Sequence, residues 1–292
     1  MHTQILFNKM NIQDLNAQLE KITILKKEKS FKNHSLRELQ SLPSFNGLVE
    51  LYFKNFPFSM INISNDDSIP LKYLWRDSYE QLSLELWYNI TRKDGYCFDI
   101  GAHTGIYSII GNLNKKHNNI ISVEAYYLNY ARLLSNLKIN NISPINTFLV
   151  SASNSEGVGK FEVKTDRFYH TQGGKLSNDG KINIPKVKVD GFKLDKKVNC
   201  IKIDTEGHEL EVLEGSQNYI ARDKPDLIFE INESCFDNCL GILKNHEYKF
   251  YFINENDKKL HKIKFFDSNF LKNEGANCYA TVNEVNSELI TI

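Results

Sequence analysis

The stretch that decides the fold is YCFDIGAHTGIYSIIGN, residues 96 to 112. Its first part, residues 96–100, is short and apolar like a buried strand, and residues 104–112 have the apolar spacing of a helix. Gly101 and Gly105 lie where the strand turns into the helix. Ligands bind at such turns in open α/β sheets. The stretch therefore predicts a strand, a tight turn and a helix, with a binding site at the turn.

The same alternation continues toward the C-terminus, where short β-rich runs are separated by helix-length segments. This order predicts a mostly parallel, doubly wound sheet with helices on both faces. The predicted strands are residues 96–100, 120–123, 147–150, 200–203 and 227–231, and the predicted helices are residues 104–112, 128–139, 209–219 and 236–245. Residues 249–253 and 278–282 have no convincing helix between them, so we expect them to end the sheet as an antiparallel pair.

The N-terminal part of the chain has a different pattern. Apolar residues recur at helical spacing from Ile12 to Ile22, and Ser35 with Glu38 forms a candidate capping box, so residues 11–40 are expected to be helical. We place a soft boundary near residue 70, with a helical accessory region at 1–70 and a Rossmann-like domain at 71–292. The N-terminal helices are expected to cover the site, to pair with a second subunit or to dock on a partner.

Composition limits the classes of partner. The 36 basic and 36 acidic side chains of the 292 residues cancel, so no nucleic acid or anionic membrane is expected as a partner. No apolar stretch approaches the roughly 20 residues that span a bilayer, and residues 1–30 lack the apolar block of a secretory signal. We expect a cytoplasmic protein whose five scattered cysteines are reduced, buried thiols.

The turn at residues 101–105 predicts the type of ligand. Its GxxxG spacing differs from the GxGxxG of dinucleotide sites, and no Gly-Lys-Ser/Thr follows it. Asp99 beside the turn would repel a pyrophosphate but attract the cationic groups of S-adenosylmethionine. Glu124 ends the next strand, where a carboxylate accepts hydrogen bonds from both hydroxyls of a ribose. The predicted cofactor residues here are Asp99, Gly101, Ala102, His103, Gly105, Glu124 and Ala125.

Two other interpretations of this turn stay open. In the first, a tight turn alone explains the glycines, and Glu124 is a solvated strand end. In the second, the cofactor is NAD. The departure from GxGxxG favours S-adenosylmethionine over NAD.

A second cluster, IKIDTEGHEL at residues 201–210, takes a buried strand into several ionisable side chains and then a helix. His208 is the candidate general base, because an imidazole with a pKa near 6.5 removes a proton close to neutral pH. Asp204 is expected to orient that histidine or the substrate, and Glu206 to bind substrate hydroxyls or offset the sulfonium charge. Glu230, which ends the next strand, is expected to contact the substrate.

This cluster also has alternative interpretations. Acidic residues in the first turn of a helix stabilise its dipole and cap its amides, which we prefer for Glu209 and Glu211. Asp204, Glu206 and His208 together have the ligand types of a divalent metal site, although their spacing is unspecific, and no metal is expected.

These two motifs resemble those of the FkbM methyltransferase family. The similarity lies in residues 97–102 with Gly105, and above all in IKIDTEGHELEVLEGS at residues 201–216. Residues 150–163 are similar to the family's segment beside the adenine, which makes Ser153 a cofactor-binding candidate. The resemblance covers about residues 78–284. His103 and Ala125 depart from the asparagine and proline that are common at these positions.

The resemblance implies a Rossmann-like class I methyltransferase with an antiparallel final strand and S-adenosylmethionine as donor. It also implies O-methylation of a hydroxyl on a sugar, glycan or natural product. Two other functions compete, a non-catalytic binding module that kept the fold and an NAD-dependent oxidoreductase. Intact acids at three strand ends disfavour the first of these.

Overall fold

The computed structural model describes residues 12–113, 119–143, 146–163, 174–272, 275–285 and 290–291. The strands are β1 (Gly47–Phe53), β2 (Phe56–Asn62), β3 (Tyr96–Ile100), β4 (Ile120–Glu124), β5 (Thr147–Leu149), β6 (Ser151–Ala152), β7 (Gly157–Glu162), β8 (Lys175–Leu176), β9 (Ile182–Val187), β10 (Val198–Ile203), β11 (Asp226–Glu230), β12 (Lys249–Asn254), β13 (Lys259–Ile263), β14 (Asn277–Thr281) and β15 (Ile290–Thr291). The helices are α1 (Ile12–Glu28), α2 (Leu36–Gln40), α3 (Ser68–Arg76), α4 (Gln81–Ile90), α5 (Ile106–Asn112), α6 (Tyr127–Ile139), α7 (Glu209–Glu214), α8 (Gln217–Asp223) and α9 (Phe236–Lys244), with 3-10 turns at Val189–Gly191 and Ser268–Lys272.

A nine-stranded mixed sheet forms the centre of the molecule, in the order β15-β13-β12-β14-β11-β10-β3-β4-β5. Strands β11, β10, β3, β4 and β5 are parallel, and β14 is antiparallel to both of its neighbours, β11 and β12. The order of the parallel strands reverses at β3, which leaves a crevice at their carboxyl ends. The predicted Rossmann-like, doubly wound fold is confirmed, and the expected antiparallel pair is formed by β12 and β14. The sheet does not end at that pair, because β13 and the last strand, β15, extend it beyond β12.

Each face of this sheet packs on its own hydrophobic core because side chains alternate along a buried strand. In β3, Phe98 and Ile100 belong to the core under α7, α8 and α9. Cys97 belongs to the opposite core, which also contains residues of α4 and α5. The sheet is therefore covered on both sides, as the run of alternating elements predicts.

The N-terminal region is only partly helical. Helix α1 ends at Glu28, and α2 begins after Ser35, whose side chain and that of Glu38 form the predicted capping box. Residues 47–62 form the antiparallel hairpin of β1 and β2, which corrects the expectation of a helical region throughout 1–70. Its apolar residues join the same core as Trp87 and Ile109. The suggested boundary near residue 70 falls inside α3, and division into two domains remains a proposal.

Two further features differ from the expected elements. A four-stranded sheet, β6-β9-β7-β8, lies between β5 and β10 in sequence. The helix expected at 209–219 is two short helices, α7 and α8, interrupted at Gly215 and Ser216. A Cβ at Gly215 would lie 2.0 Å from the carbonyl oxygen of Ser153, so the absence of a side chain at Gly215 lets the two backbones approach.

All five cysteines are buried and form no disulfide, as expected. Among the helices in the described part of the chain, none is both long and apolar enough to cross a bilayer.

Candidate functional site

A cleft opens at the carboxyl ends of β3, β4 and β10. This edge is where ligands bind in open α/β sheets. Eight of the predicted site residues line it, namely Gly101, Ala102, His103, Glu124, Ala125, Asp204, Glu206 and His208. Asp99, Gly105, Ser153 and Glu230 do not line it, although each lies beside residues that do.

The turn at residues 101–105 is bound to the neighbouring strand. The amides of Gly101 and Ala102 both donate to the carbonyl of Val123, at 2.9 and 3.0 Å. Gly101 has a φ of +75°, and a Cβ there would lie 1.7 Å from the carbonyl oxygen of Asp204. A glycine is therefore required at position 101 by both conformation and space. Gly105, with a φ of +103°, supports the loop from outside the cleft.

Glu124 is fixed at the centre of the cleft. One carboxylate oxygen accepts from the amide of His103 and the other from the amide of Tyr126, both at 2.8 Å. The side chain is 5% exposed, and this burial raises the pKa of Glu124. A carboxylate has about four acceptor positions, so two further donors can bind. Two ribose hydroxyls meet that requirement.

One end of the cleft is apolar. Tyr126 and Phe161 stack with their ring centres 6.1 Å apart and an interplanar angle of 17°, and Ala152 and Leu176 line the same end. Such a surface suits the faces of a purine base.

Asp99 occupies a position that the sequence did not predict. Its side chain is 1% exposed and accepts a 2.5 Å hydrogen bond from the hydroxyl of Ser108 in α5. Burial raises the pKa of Asp99 to about 6. The Asp99 carboxylate lies behind the turn, and its hydrogen bond to Ser108 links β3 to α5. This position does not favour direct contact between Asp99 and a cofactor, which stays a prediction.

The other end of the cleft is acidic. Asp204 and Glu206 line it, and Glu206 has a left-handed backbone with a φ of +56°. Buried Glu209 holds this loop by accepting from the amides of Thr205 and Gly207, at 2.9 and 3.1 Å. Glu209 therefore braces the loop before α7. The capping of α7 that we preferred for Glu209 and Glu211 is not seen, because the N-terminus of this helix has no side-chain cap and Glu211 faces His208 instead.

His208 lies between this acidic end and the second sheet. Its Nε2 is 3.0 Å from the hydroxyl of Ser153, and its Nδ1 is 3.4 Å from a carboxylate oxygen of Glu211. Burial is the main cause that lowers the pKa of His208, and Glu211 opposes it. The imidazole is therefore neutral near pH 7 and able to accept a proton. Ser153 is 1% exposed and acts on the cleft through His208.

Glu230 lies at the same sheet edge, behind the acidic loop. Its pKa is raised well above the ordinary value, first by burial and then by Asp204, Glu206 and Glu209. Its Oε2 atom is buried and has no hydrogen-bond partner among the described residues. The substrate contact expected for Glu230 stays a prediction.

No group of three or more histidine, cysteine or acidic side chains in the described ranges is arranged to hold a metal ion. The residue types of Asp204, Glu206 and His208 had suggested metal ligands. The structure does not arrange these three side chains as such a group.

Several residues of the site were missed from the sequence. Ser68, Ile69 and Tyr79 line the cleft from the N-terminal side, and Tyr107 lines it from α5. Lys202 lies within the motif at residues 201–210, but no role is predicted for it from the sequence. A lysine between Ile201 and Ile203 in a buried strand was the available signal, because buried lysines are rare and paired. Tyr107 belongs to the stretch at residues 96–112, where the helical pattern alone predicts no contact with a ligand, and Ser68, Ile69 and Tyr79 belong to no motif.

The cleft fits S-adenosylmethionine in the order of its chemical groups. Its apolar end, the anchored Glu124 and the acidic Asp204 and Glu206 match a base, a ribose and a cationic sulfonium with an ammonium. The fold and this cleft together describe a Rossmann-like protein whose site has the chemical groups to hold a nucleoside-containing cofactor.

Comparisons with known proteins identify the family. Residues 99–250, just over half of the chain, match the sequence model described as the methyltransferase FkbM domain. The chain therefore belongs to the FkbM methyltransferase family, and its cofactor is S-adenosylmethionine. No curated protein matches the sequence.

Solved structures give distant matches. An FkbM methyltransferase from Methylobacillus flagellatus is 14% identical, with 92% of this chain and 60% of that chain covered and a TM-score of 0.41. A SAM-dependent methyltransferase from Agrobacterium tumefaciens is 12% identical, with 82% and 72% covered and a TM-score of 0.43. M. jannaschii TYW2, solved in complex with AdoMet, is 11% identical, with 82% and 86% covered and a TM-score of 0.39. The match thus spans about three fifths of the length of the Methylobacillus protein.

Proposed function

We propose that this chain methylates a hydroxyl group of a sugar, glycan or natural product. The observation that carries the proposal is the polarity of the cleft, which runs from the apolar pair Tyr126 and Phe161 through Glu124 to Asp204 and Glu206. S-adenosylmethionine supplies an electrophilic methyl group when bound. The acidic end is where the chain's own residues bind a hydroxyl, because carboxylates accept its hydrogen bond.

In this proposal Asp204 and Glu206 orient the acceptor hydroxyl, and Nε2 of His208 takes its proton. The lowered pKa of His208 keeps the imidazole neutral and ready to accept. Ser153 and Glu211 hold the ring from its two nitrogens. Ser153 must give up its hydrogen bond to Nε2 before that atom can bind the acceptor proton.

We place the reaction in the cytoplasm, since five buried cysteines without a disulfide suit a reducing compartment.

The direct test incubates the protein and S-adenosylmethionine labelled in its methyl group with an extract of its own cell. We expect a labelled product that contains an O-methyl group. His208→Ala should reduce labelling by about 100-fold or more while its affinity for S-adenosylmethionine, measured by calorimetry, stays within about two-fold. His246→Ala, outside the cleft, is the matched control. Labelling by His208→Ala at the wild-type rate would exclude His208 as the base.

A further inference from the structure

The wall of the cleft opposite the acidic loop comes from a segment outside the family match. Ser68, Ile69 and Tyr79 line the cleft, whereas the match begins at residue 99. We propose that residues 66–80 form the acceptor-binding wall, that the acceptor is an uncharged polyhydroxylated ring, and that Tyr79 is its stacking surface. This inference rests on the proposed function and assigns its acceptor subsite.

An ion pair between Arg132 and Asp66 fixes the start of this wall. Arg132 of α6 makes a bidentate pair with Asp66, with nitrogen–oxygen distances of 3.0 and 2.8 Å. Both side chains are only 14% exposed, and planar pairs of this kind fix geometry as well as charge. The residues that follow, Ser68 and Ile69, are thereby held against the cofactor-binding half of the molecule.

A second anchor lies at the end of the wall. Glu80 accepts a 2.7 Å hydrogen bond from the hydroxyl of Tyr107 and a 3.3 Å bond from the side-chain Nδ2 of Asn277. The ammonium group of Lys72 lies 5.0 Å from the centre of the Tyr79 ring, a distance typical of a cation–π contact. The ring of Tyr79 is thus held from α3 while the next residue is bound to α5 and β14.

The charges around this space decide the chemical class of the acceptor. Asp204 and Glu206 face it from the loop after β10. Lys202 is 1% exposed, and its ammonium already donates to Asp204 at 3.0 Å and to Asn277 at 3.3 Å. Lys175, which also lines the cleft, lies on β8 beside the apolar end. The ammonium of Lys72, beside the Tyr79 ring, belongs to a side chain that is 9% exposed, does not line the cleft and interacts with Glu80. A phosphate or carboxylate on the acceptor would therefore meet like charge.

Hydroxyl groups suit the same surroundings. They donate to the carboxylates of Asp204 and Glu206, and the apolar C–H face of a saturated ring packs on an aromatic side chain such as Tyr79. A pyranose combines these two properties in one small molecule.

Saturation-transfer NMR on the protein loaded with S-adenosylhomocysteine tests this subsite. The probes are the methyl α-D-pyranosides of glucose, galactose and mannose, with glucose 6-phosphate as the anionic counterpart. We expect at least one pyranoside to receive saturation and glucose 6-phosphate to receive none. Tyr79→Ala should weaken pyranoside binding about five-fold to ten-fold, Tyr79→Phe should retain it, and Tyr52→Ala, an exposed tyrosine outside the cleft, should leave it unchanged.

Three results would overturn the proposal: no signal from any pyranoside, equal signals from wild type and Tyr79→Ala, or a signal from glucose 6-phosphate as strong as that from the sugars. Loss of S-adenosylhomocysteine affinity in Tyr79→Ala, measured by calorimetry, would also overturn it by placing Tyr79 in the cofactor site. Failure of the proposed function is distinct from these, because pyranosides would then bind through Tyr79 while no labelled methyl group is transferred.

Discussion

Asp99 shows how much the direction of a side chain matters at the end of a strand. Its position after an apolar run and before Gly101 predicted a charge beside the cofactor. In β3 its side chain lies on the same face as Cys97, opposite Phe98 and Ile100, and therefore contacts Ser108 of α5. Spacing identified the acid, but which face of the strand would be covered by α5 depends on the tertiary packing.

The buried position of Asp99 predicts a pH dependence of stability. Its pKa is raised from 3.8 to about 6 in the folded protein, so the folded state binds this proton more tightly than the unfolded state does. The free energy of unfolding therefore falls as pH rises from about 4 to about 6, by up to roughly 3 kcal/mol. Asp99→Asn keeps an acceptor for Ser108 and cannot ionise, so it should remove this loss.

Urea unfolding of wild type and Asp99→Asn at pH 4, 5, 6 and 7 measures the effect. The variant should gain stability relative to wild type across this range and level off above pH 6. The subtraction removes the contributions of Glu124 and Glu230, whose pKa values are also raised. A difference between the two proteins that stays constant with pH would contradict the account.

The turn between β3 and α5 can form only with a glycine at position 101. Its φ is +75°, and a Cβ would lie 1.7 Å from the carbonyl oxygen of Asp204. Gly101→Ala should therefore destabilise the protein by at least about 3 kcal/mol, since strain and a backbone clash add. Gly241→Ala is the matched control, because a Cβ at position 241 meets nothing within 4 Å. Since alanine favours a helix more than glycine does, this variant should raise the free energy of unfolding by up to about 1 kcal/mol. Thermal unfolding of both variants measures this, and equal effects would contradict it.

The elements that could be predicted are those with a clear local pattern. β3, β4, β10 and β11 lie within two residues of their predicted bounds, because buried parallel strands are short apolar runs between helices. The hairpin of β1 and β2 was missed, since Leu48 to Met60 is apolar without a decisive period. The break at Gly215 was missed, and so was the close approach of Gly215 to Ser153, which is a tertiary contact that no local pattern predicts.

At the scale of the whole molecule, the N-terminal region and the central sheet share one core. Ile22, Leu39 and Met60 belong to the same buried cluster as Trp87 and Ile109. Removing the first two helices and the hairpin would expose that cluster. We therefore expect a single cooperative unfolding transition.

Unfolding by urea, followed in parallel by tryptophan fluorescence and far-ultraviolet circular dichroism, measures this cooperativity. The only two tryptophans are Trp75 and Trp87, and both belong to the shared core. Coincident curves are expected. Two separated transitions would instead support the proposal of separate units at 1–70 and 71–292.

Some residues of the site could be predicted from the sequence, and others could not. Glu124, Asp204, Glu206 and His208 belong to local motifs at strand ends, and the structure brings them to one cleft. The wall that contains Tyr79 could not be predicted, because it is positioned by Arg132 and by residues far away in sequence, and no local pattern records such contacts.

We propose that Glu124 binds the ribose of S-adenosylmethionine, and calorimetric titration with that compound measures the contribution of Glu124 to cofactor affinity. Glu124→Ala should weaken binding by about 10- to 100-fold, since hydrogen bonds to a charged group contribute roughly 1.5–3 kcal/mol. Glu162→Ala, an exposed acid of β7 that does not line the cleft, should bind like wild type. A folded Glu124→Ala protein with unchanged affinity would contradict the account.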